Sequence, residues 1–116
     1  MTEDRHLRDD VRYGFPADCD VTVVHDARAA WIAMASTTPD VVIVDIHTGS
    51  AGGYALRRDM LANQRLARVP MLMLLDRPQD AWLARQAGAN LHLVKPVDVS
   101  ELIHQALALV PSGIAS

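Results

Sequence analysis

Four short apolar runs, each lying between stretches of helical periodicity, constrain this chain more than any other feature. They fall at 21–24, 41–45, 70–75 and 90–94, and apolar residues run through them continuously apart from breaks at Thr22 and His92. A strand that is apolar on both sides has to be covered on both faces. Strand–helix alternation of that kind predicts an α/β domain with a parallel sheet between two layers of helices. The intervening segments carry the matching punctuation. Residues 3–14 have a thin helical stripe through Leu7 and Val11, with acids at the start. Asp26 is placed to cap a helix bearing Ala27, Ala30, Trp31 and Met34, which Thr37-Thr38-Pro39 stops. A glycine-rich loop from His47 to Gly53 precedes a helix predicted to run to about Gln64. Asp76 sits where a cap would sit for a helix over 78–87, with Pro78 in its first turn and Gly88 past its end. Asp98-x-x-Glu101 resembles a capping box and opens a last helix with Leu102, Ile103, Ala106, Leu107 and Val110 on one stripe.

At 116 residues the chain is expected to form one domain, 1–116, large enough to bury a core without staples. Its net charge of −3 comes with no basic run, so the footprint of a nucleic-acid binder is missing. Cys19 is alone, which excludes an internal disulfide and a thiolate metal site. No stretch reaches the length of a membrane span and no signal peptide opens the chain, so the expectation is a soluble cytoplasmic protein.

Two of the apolar runs end in charge. Val41-Val42-Ile43-Val44 stops at Asp45, and Leu91-His92-Leu93-Val94 stops at Lys95-Pro96, the only lysine beside ten arginines. Parallel strands would deliver both groups to the carboxyl edge of the sheet, where open α/β sheets bind ligands. A carboxylate there can attack a phosphoryl donor, and a compact ammonium can follow a group in transfer better than a rigid guanidinium. The plainer alternatives are a loop-capping Asp45 and a snorkelling Lys95. Phosphoryl chemistry on a carboxylate calls for a divalent cation. Glu3 and Asp4 read either as its ligands or as an acidic first turn complementing a helix dipole. Asp9-Asp10 is expected to face solvent. His6, His25, His47, His92 and His104 show no pairing at metal-ligand spacing, though His25 and His47 end adjacent elements. Trp31 and Trp82 read as core or interface residues, and Met71 and Met73 as core.

The apolar run ending at Asp45, the run ending at Lys95-Pro96, and Ala87-Gly88-Ala89 ahead of the last strand together resemble the receiver domain of bacterial two-component response regulators, over residues 3–110. The resemblance implies a flavodoxin-like fold with sheet order 2-1-3-4-5. It implies that Asp45 accepts a phosphoryl group from a histidine kinase or phosphotransfer protein, and that Lys95 pairs with that phosphate. It further implies Mg²⁺ on Glu3, Asp4, Asp45 and the main chain of His47, and a cis Lys95–Pro96 peptide. Output would pass to a protein partner through the face of helix 78–87, strand 90–94 and helix 98–110.

The departures are as specific as the match. Only Met1 and Thr2 precede Glu3, so the family's first strand is missing. Either the chain begins late, or 21–24 and 41–45 close the gap, or another chain fills it. A homodimer or strand-swapped oligomer is the expected remedy for unpaired edges. Leu75 stands where the family carries a switch Ser or Thr, Asp76 where a small residue is usual, and His92 where a rotating aromatic sits. Gly49 replaces a loop proline and Gly52-Gly53 an Asp-Gly pair, which predicts a more mobile loop. These departures support a second hypothesis, a pseudo-receiver that binds a protein partner without phosphorylation. A third, a flavodoxin-like nucleotide or flavin binder, lacks a glycine-rich phosphate loop, since His25-Asp26-Ala27-Arg28 follows strand 21–24.

Overall fold

A computed structural model describes residues 1–47 and 52–110. Along the chain these form α1 (Arg5–Gly14), α2 (Ala27–Ser36), β1 (Val42–Ile46), α3 (Gly52–Leu61), β2 (Met71–Leu75), α4 (Ala81–Ala87), β3 (Leu91–Val94) and α5 (Val99–Leu109). The strands are parallel, in the order β1-β2-β3. Five helices flank this sheet in a flavodoxin-like arrangement. None of those helices is long and apolar enough to cross a membrane.

β2 lies between its two neighbours, and all five of its residues are shut off from solvent. Its side chains alternate faces. Met71, Met73 and Leu75 join Val44 and Ile46 of β1 in a core closed by Ala30 and Met34 of α2, Leu56 and Met60 of α3, and Ala84 of α4. Leu72 and Leu74 point the other way, against Leu102 and Ala106 of α5, with Leu7 and Val11 of α1 packed beside them. Each such fully buried Leu or Met contributes roughly 1.5–3 kcal/mol, so the continuous apolar run of β2 anchors both layers. Gly53 shows how closely α3 lies on β1, since a Cβ there would run into the Ile46 and Val44 side chains.

A buried guanidinium ties the elements together at the opposite edge of the sheet. Arg57, 3% exposed, donates from Nε to the Gly88 carbonyl (3.0 Å), from one terminal nitrogen to the Val69 carbonyl (2.8 Å), and from the other to Asn90 Oδ1 (3.2 Å). Burial lowers its pKa from the usual arginine range.

Several expectations are corrected. Residues 21–24 do not form a strand. The chain's own first residues stand between them and β1: the Met1 amine donates to the Ile43 carbonyl (2.6 Å), Asp45 N–H to the Met1 carbonyl (2.9 Å), and Thr2 N–H to the Val24 carbonyl (3.0 Å). The first strand is thus reduced to one rung, too short to hold 21–24 in a ladder. Among the described residues, no backbone bond joins 21–23 to 41–43. The helix over 78–87 divides into a 3-10 turn, Pro78–Asp80, and α4. Asp76 does not cap it, because its carboxylate turns to Lys95. Asp98 caps α5 through Ser100 N–H, but Glu101 accepts from Gln105 instead of closing a capping box. Gly52 and Gly53 begin α3, which ends at Leu61 and not near Gln64, and Gly49 lies outside the described residues. Asp26 caps α2 as expected, through Ala29 N–H, and Gly88 ends α4 at φ +97°.

Candidate functional site

Register decides which side chains meet. Asp45 lies opposite Leu74, Leu75 lies opposite Val94, and Lys95 N–H continues the ladder to the Leu75 carbonyl (2.8 Å). The last residues of β1 and the residues just past β2 and β3 therefore share one carboxyl edge. Asp45 has the parity of Ile43, away from the Val44–Ile46 core, so its carboxylate is aimed at that edge and not into hydrocarbon.

The Asp45 side chain is 1% exposed, and its two oxygens have different partners. Lys95 Nζ lies 2.5 Å from Oδ1, while Oδ2 accepts from the Thr2 hydroxyl at 2.8 Å. That hydroxyl also accepts from Asp4 N–H (3.0 Å), which turns its own proton toward Asp45. Asp76 repeats the division. Its Oδ1 is 2.8 Å from Lys95 Nζ. The His47 imidazole stands between the remaining oxygens, Nε2 at 3.5 Å from Asp45 Oδ2 and Nδ1 at 3.7 Å from Asp76 Oδ2. One ammonium thus holds one oxygen of each carboxylate, and one imidazole faces the other of each. Burial works against the Lys95 charge, but hydrogen bonds and attraction from both carboxylates outweigh it and raise its pKa. Beside them opens a cleft of about 110 Å³, bordered by Thr2, Glu3, His25, Asp26, Asp45 and His47.

The structure brings Asp45 and Lys95 together and makes the Lys95–Pro96 peptide cis. Glu3 stays exposed at the rim of the cleft. Asp4 Oδ1 caps α1, accepting from His6 N–H (2.9 Å) and Leu7 N–H (3.3 Å), which is the helix-terminus alternative for this residue. Asp9 and Asp10 face solvent. Leu75 is fully buried in the apolar core, and no hydroxyl is available at its position. His92 is half-buried on β3, opposite Met73. His25 and His47 do border the same cleft, where His25 pairs with Asp26 (3.3 Å). Three contributions escape the sequence pattern: the Thr2 hydroxyl, the His47 side chain, and the Asp76 hold on Lys95. Only Asp76 left a signal, one residue beyond a strand end in line with Asp45.

A buried acid and an ammonium at the carboxyl edge of a parallel, helix-flanked sheet define an open α/β domain built around an anion-handling site. Comparison makes the class specific. The response regulator receiver domain family matches residues 3–107. The chain is 30% identical over 96 residues to protein PilG of Pseudomonas aeruginosa, covering 81% of this chain and 71% of that one. It spans only 12, 31 and 14% of the length of three other curated relatives that it matches. Among solved structures it superposes on the chemotaxis response regulator CheY4 of Vibrio cholerae with TM-score 0.83, at 21% identity, covering 94% of this chain and 93% of that one. The receiver domain of a sensor histidine kinase from P. aeruginosa, solved with a magnesium ion in its active-site cleft, gives TM-score 0.69 at 24% identity, over 90 and 82% of the two chains. The chain belongs to the response regulator receiver domains, the signalling modules of two-component systems.

Proposed function

We propose that this domain accepts a phosphoryl group on Asp45 from a histidine kinase or phosphotransfer protein and passes the signal through protein–protein contact. The observation that carries this reading is the 2.5 Å approach of Lys95 Nζ to a shielded Asp45 carboxylate beside an open cleft. An Asp45 oxygen would form the new O–P bond as the donor's N–P bond breaks, with the electron pair leaving on the donor histidine nitrogen. Lys95, already seated at that oxygen, would follow the phosphoryl group and balance its charge. The donor set suits Mg²⁺, which takes one or two carboxylates and keeps several waters. Asp45 and the His47 main chain would hold it, with Glu3 at the rim and Asp4 able to join only by giving up its cap on α1. The ion would supply charge neutralisation at the phosphoryl oxygens. The half-open slot between 21–23 and 41–43 supports self-association through an added strand, which sedimentation checks directly.

A second reading, a pseudo-receiver that binds its partner without phosphorylation, is favoured by two observations. Asp76 takes part of the Lys95 ammonium, and Leu75 offers no hydroxyl to a phosphate. One experiment separates the two. Incubation with Mg²⁺ and a small-molecule phosphodonor is expected to give a base-labile adduct that Asp45→Asn abolishes. No adduct under saturating donor would leave the pseudo-receiver.

A further inference from the structure

The burial of β1 changes along its length. Val44, Asp45 and Ile46 are shut off from solvent, whereas Val42 and Ile43 are only half-buried, although β2 beside them is buried throughout. The change falls where Met1 stops. Its bonds to Ile43 and Asp45 close one end of the slot between 21–23 and 41–43 and leave the rest open. We infer that this slot captures the apolar C-terminal end of another polypeptide as an added parallel strand, with its terminal carboxylate at the Met1 amine. The inference goes beyond phosphoryl transfer and does not depend on it.

Backbone, direction and side chains each restrict the occupant. Val42 N–H bonds to the Pro70 carbonyl on the β2 side, so by strand parity Ile43 and Asp45 turn their backbone groups to the slot. Met1 takes the Ile43 carbonyl and Asp45 N–H. Ile43 N–H and the Val41 carbonyl stay unpaired among the described residues, as do Val24 N–H and the Thr22 carbonyl on the facing wall. An extended segment satisfies both walls. Met1 runs parallel to β1, so a strand in line with it presents its carboxyl end to the Met1 amine. Met1 and Thr2 fill the next positions, and an internal segment would have to leave the sheet there. A chain end does not. The Met1 amine has no second acceptor among the described residues, and with Ile43 and Val24 N–H it makes the inner end of the slot rich in donors. An acceptor-only carboxylate matches that end in hydrogen bonding and in charge. Val42 faces the layer of Ala30 and Met34, and Ile43 the layer of Leu7, Val11 and Phe15, so the occupant has to be apolar on both faces. A second copy is poorly equipped to supply it, since its runs at 41–45, 70–75 and 90–94 are built into its own sheet. A docked end would also reach the acceptor. The Met1 carbonyl accepts from Asp45 N–H, and the Thr2 hydroxyl donates to Asp45 Oδ2.

The probe is a synthetic peptide, acetyl-Lys-Lys-Val-Ile-Val-Val with a free carboxylate, titrated into the full chain without a phosphodonor. Calorimetry should show one equivalent bound. Residue-resolved amide exchange should slow by about tenfold or more at Ile43 and Val24. The same peptide ending in a carboxamide should bind at least about tenfold more weakly, and so should one with Asp in place of its Ile. Acetylating the Met1 amine, which fills the inner end of the slot, should weaken binding by a similar factor, with circular dichroism reporting that the fold is kept. The carboxylate–carboxamide pair alters only the peptide, so the test stands whatever acetylation does to the domain. Absence of saturable binding, equal affinity for the two peptide ends, or unchanged exchange at Ile43 and Val24 would overturn the inference. A dimer in sedimentation whose Ile43 amide is already protected without peptide would overturn it as well, since a second copy would then fill the slot. With no phosphoryl donor present, these results are read apart from the ability of Asp45 to accept phosphate.

Discussion

The amine of Met1 should make the stability of this domain depend on pH between about 6 and 8. It donates to the Ile43 carbonyl inside the sheet and lies near Asp45. Burial lowers its pKa from 8.0 to about 6, with Asp45 acting weakly in the opposite sense. Between those values the unfolded chain binds a proton that the folded chain does not, so stability rises with pH across the window. The contribution is fully present above pH 8 and lost as pH falls through 6. A shift of two pKa units corresponds to about 2–3 kcal/mol. For a domain of this size that is a sizeable fraction of a total of roughly 5–15 kcal/mol. Urea unfolding at steps from pH 5.5 to 8.5 would measure it as a movement of the midpoint at constant slope. N-terminally acetylated protein is the control: it keeps one amide donor for Ile43 and removes the titration, and because seating the acetyl group costs the same at every pH, only the slopes with pH are compared. The expected result is a rise of about 2–3 kcal/mol in the free-amine protein beyond that of the acetylated form. Identical pH profiles for the two would refute the argument, since the amine would then reach solvent in the folded state.

Three further perturbations have signs fixed by the contacts. Arg57→Met removes the donors to Gly88, Val69 and Asn90 and should cost about 2–4 kcal/mol in urea unfolding. A loss below about 1 kcal/mol would mean those acceptors find other partners. Lys95→Met leaves Asp45 and Asp76 facing each other without their shared ammonium. It should destabilise by about 2–4 kcal/mol in urea unfolding, discounted for the partial exposure of Lys95, and by less when Asp76→Asn is combined with it. An equal loss in the Lys95→Met and the Lys95→Met/Asp76→Asn proteins would argue against a charge origin. Gly88→Ala places a side chain at φ +97° and should cost about 1–2 kcal/mol by thermal melting, with no change in metal or phosphodonor response.

What the sequence disclosed, and what it withheld, follows from range. The runs at 41–45, 70–75 and 90–94 each form a strand within one residue of their expected limits; the clearest signal is at 70–75, where burial on both faces demands unbroken hydrophobicity, while 90–94, interrupted by His92, is only partly buried at the sheet edge. Asp26, Asp98 and Gly88 are legible because capping is local. Val21–Val24 has the composition of a strand without its partner, and composition cannot report that the neighbouring ladder has one rung. Asp76 misleads for a related reason. Beside Pro78 it reads as a helix cap, but an ammonium across the sheet edge attracts its carboxylate more strongly than a backbone N–H would. The Thr2 hydroxyl and the His47 ring join the site through tertiary geometry, 43 and 2 residues from Asp45 along the chain.

The distribution of Lys95 between two acids bears on signalling as well as stability. Relatives that switch through a hydroxyl gain a new bond when phosphate arrives, but Leu75 cannot offer one. On the proposed function, a phosphoryl group on Asp45 would compete with Asp76 for the Lys95 ammonium. At roughly 5 Å and an effective dielectric constant near 20, one added negative charge beside Asp76 costs about 3 kcal/mol before screening. Asp76→Asn, which removes that repulsion, should therefore raise the amount of base-labile adduct formed at Asp45 from a small-molecule phosphodonor; an unchanged amount would show that Asp76 does not oppose the phosphoryl group.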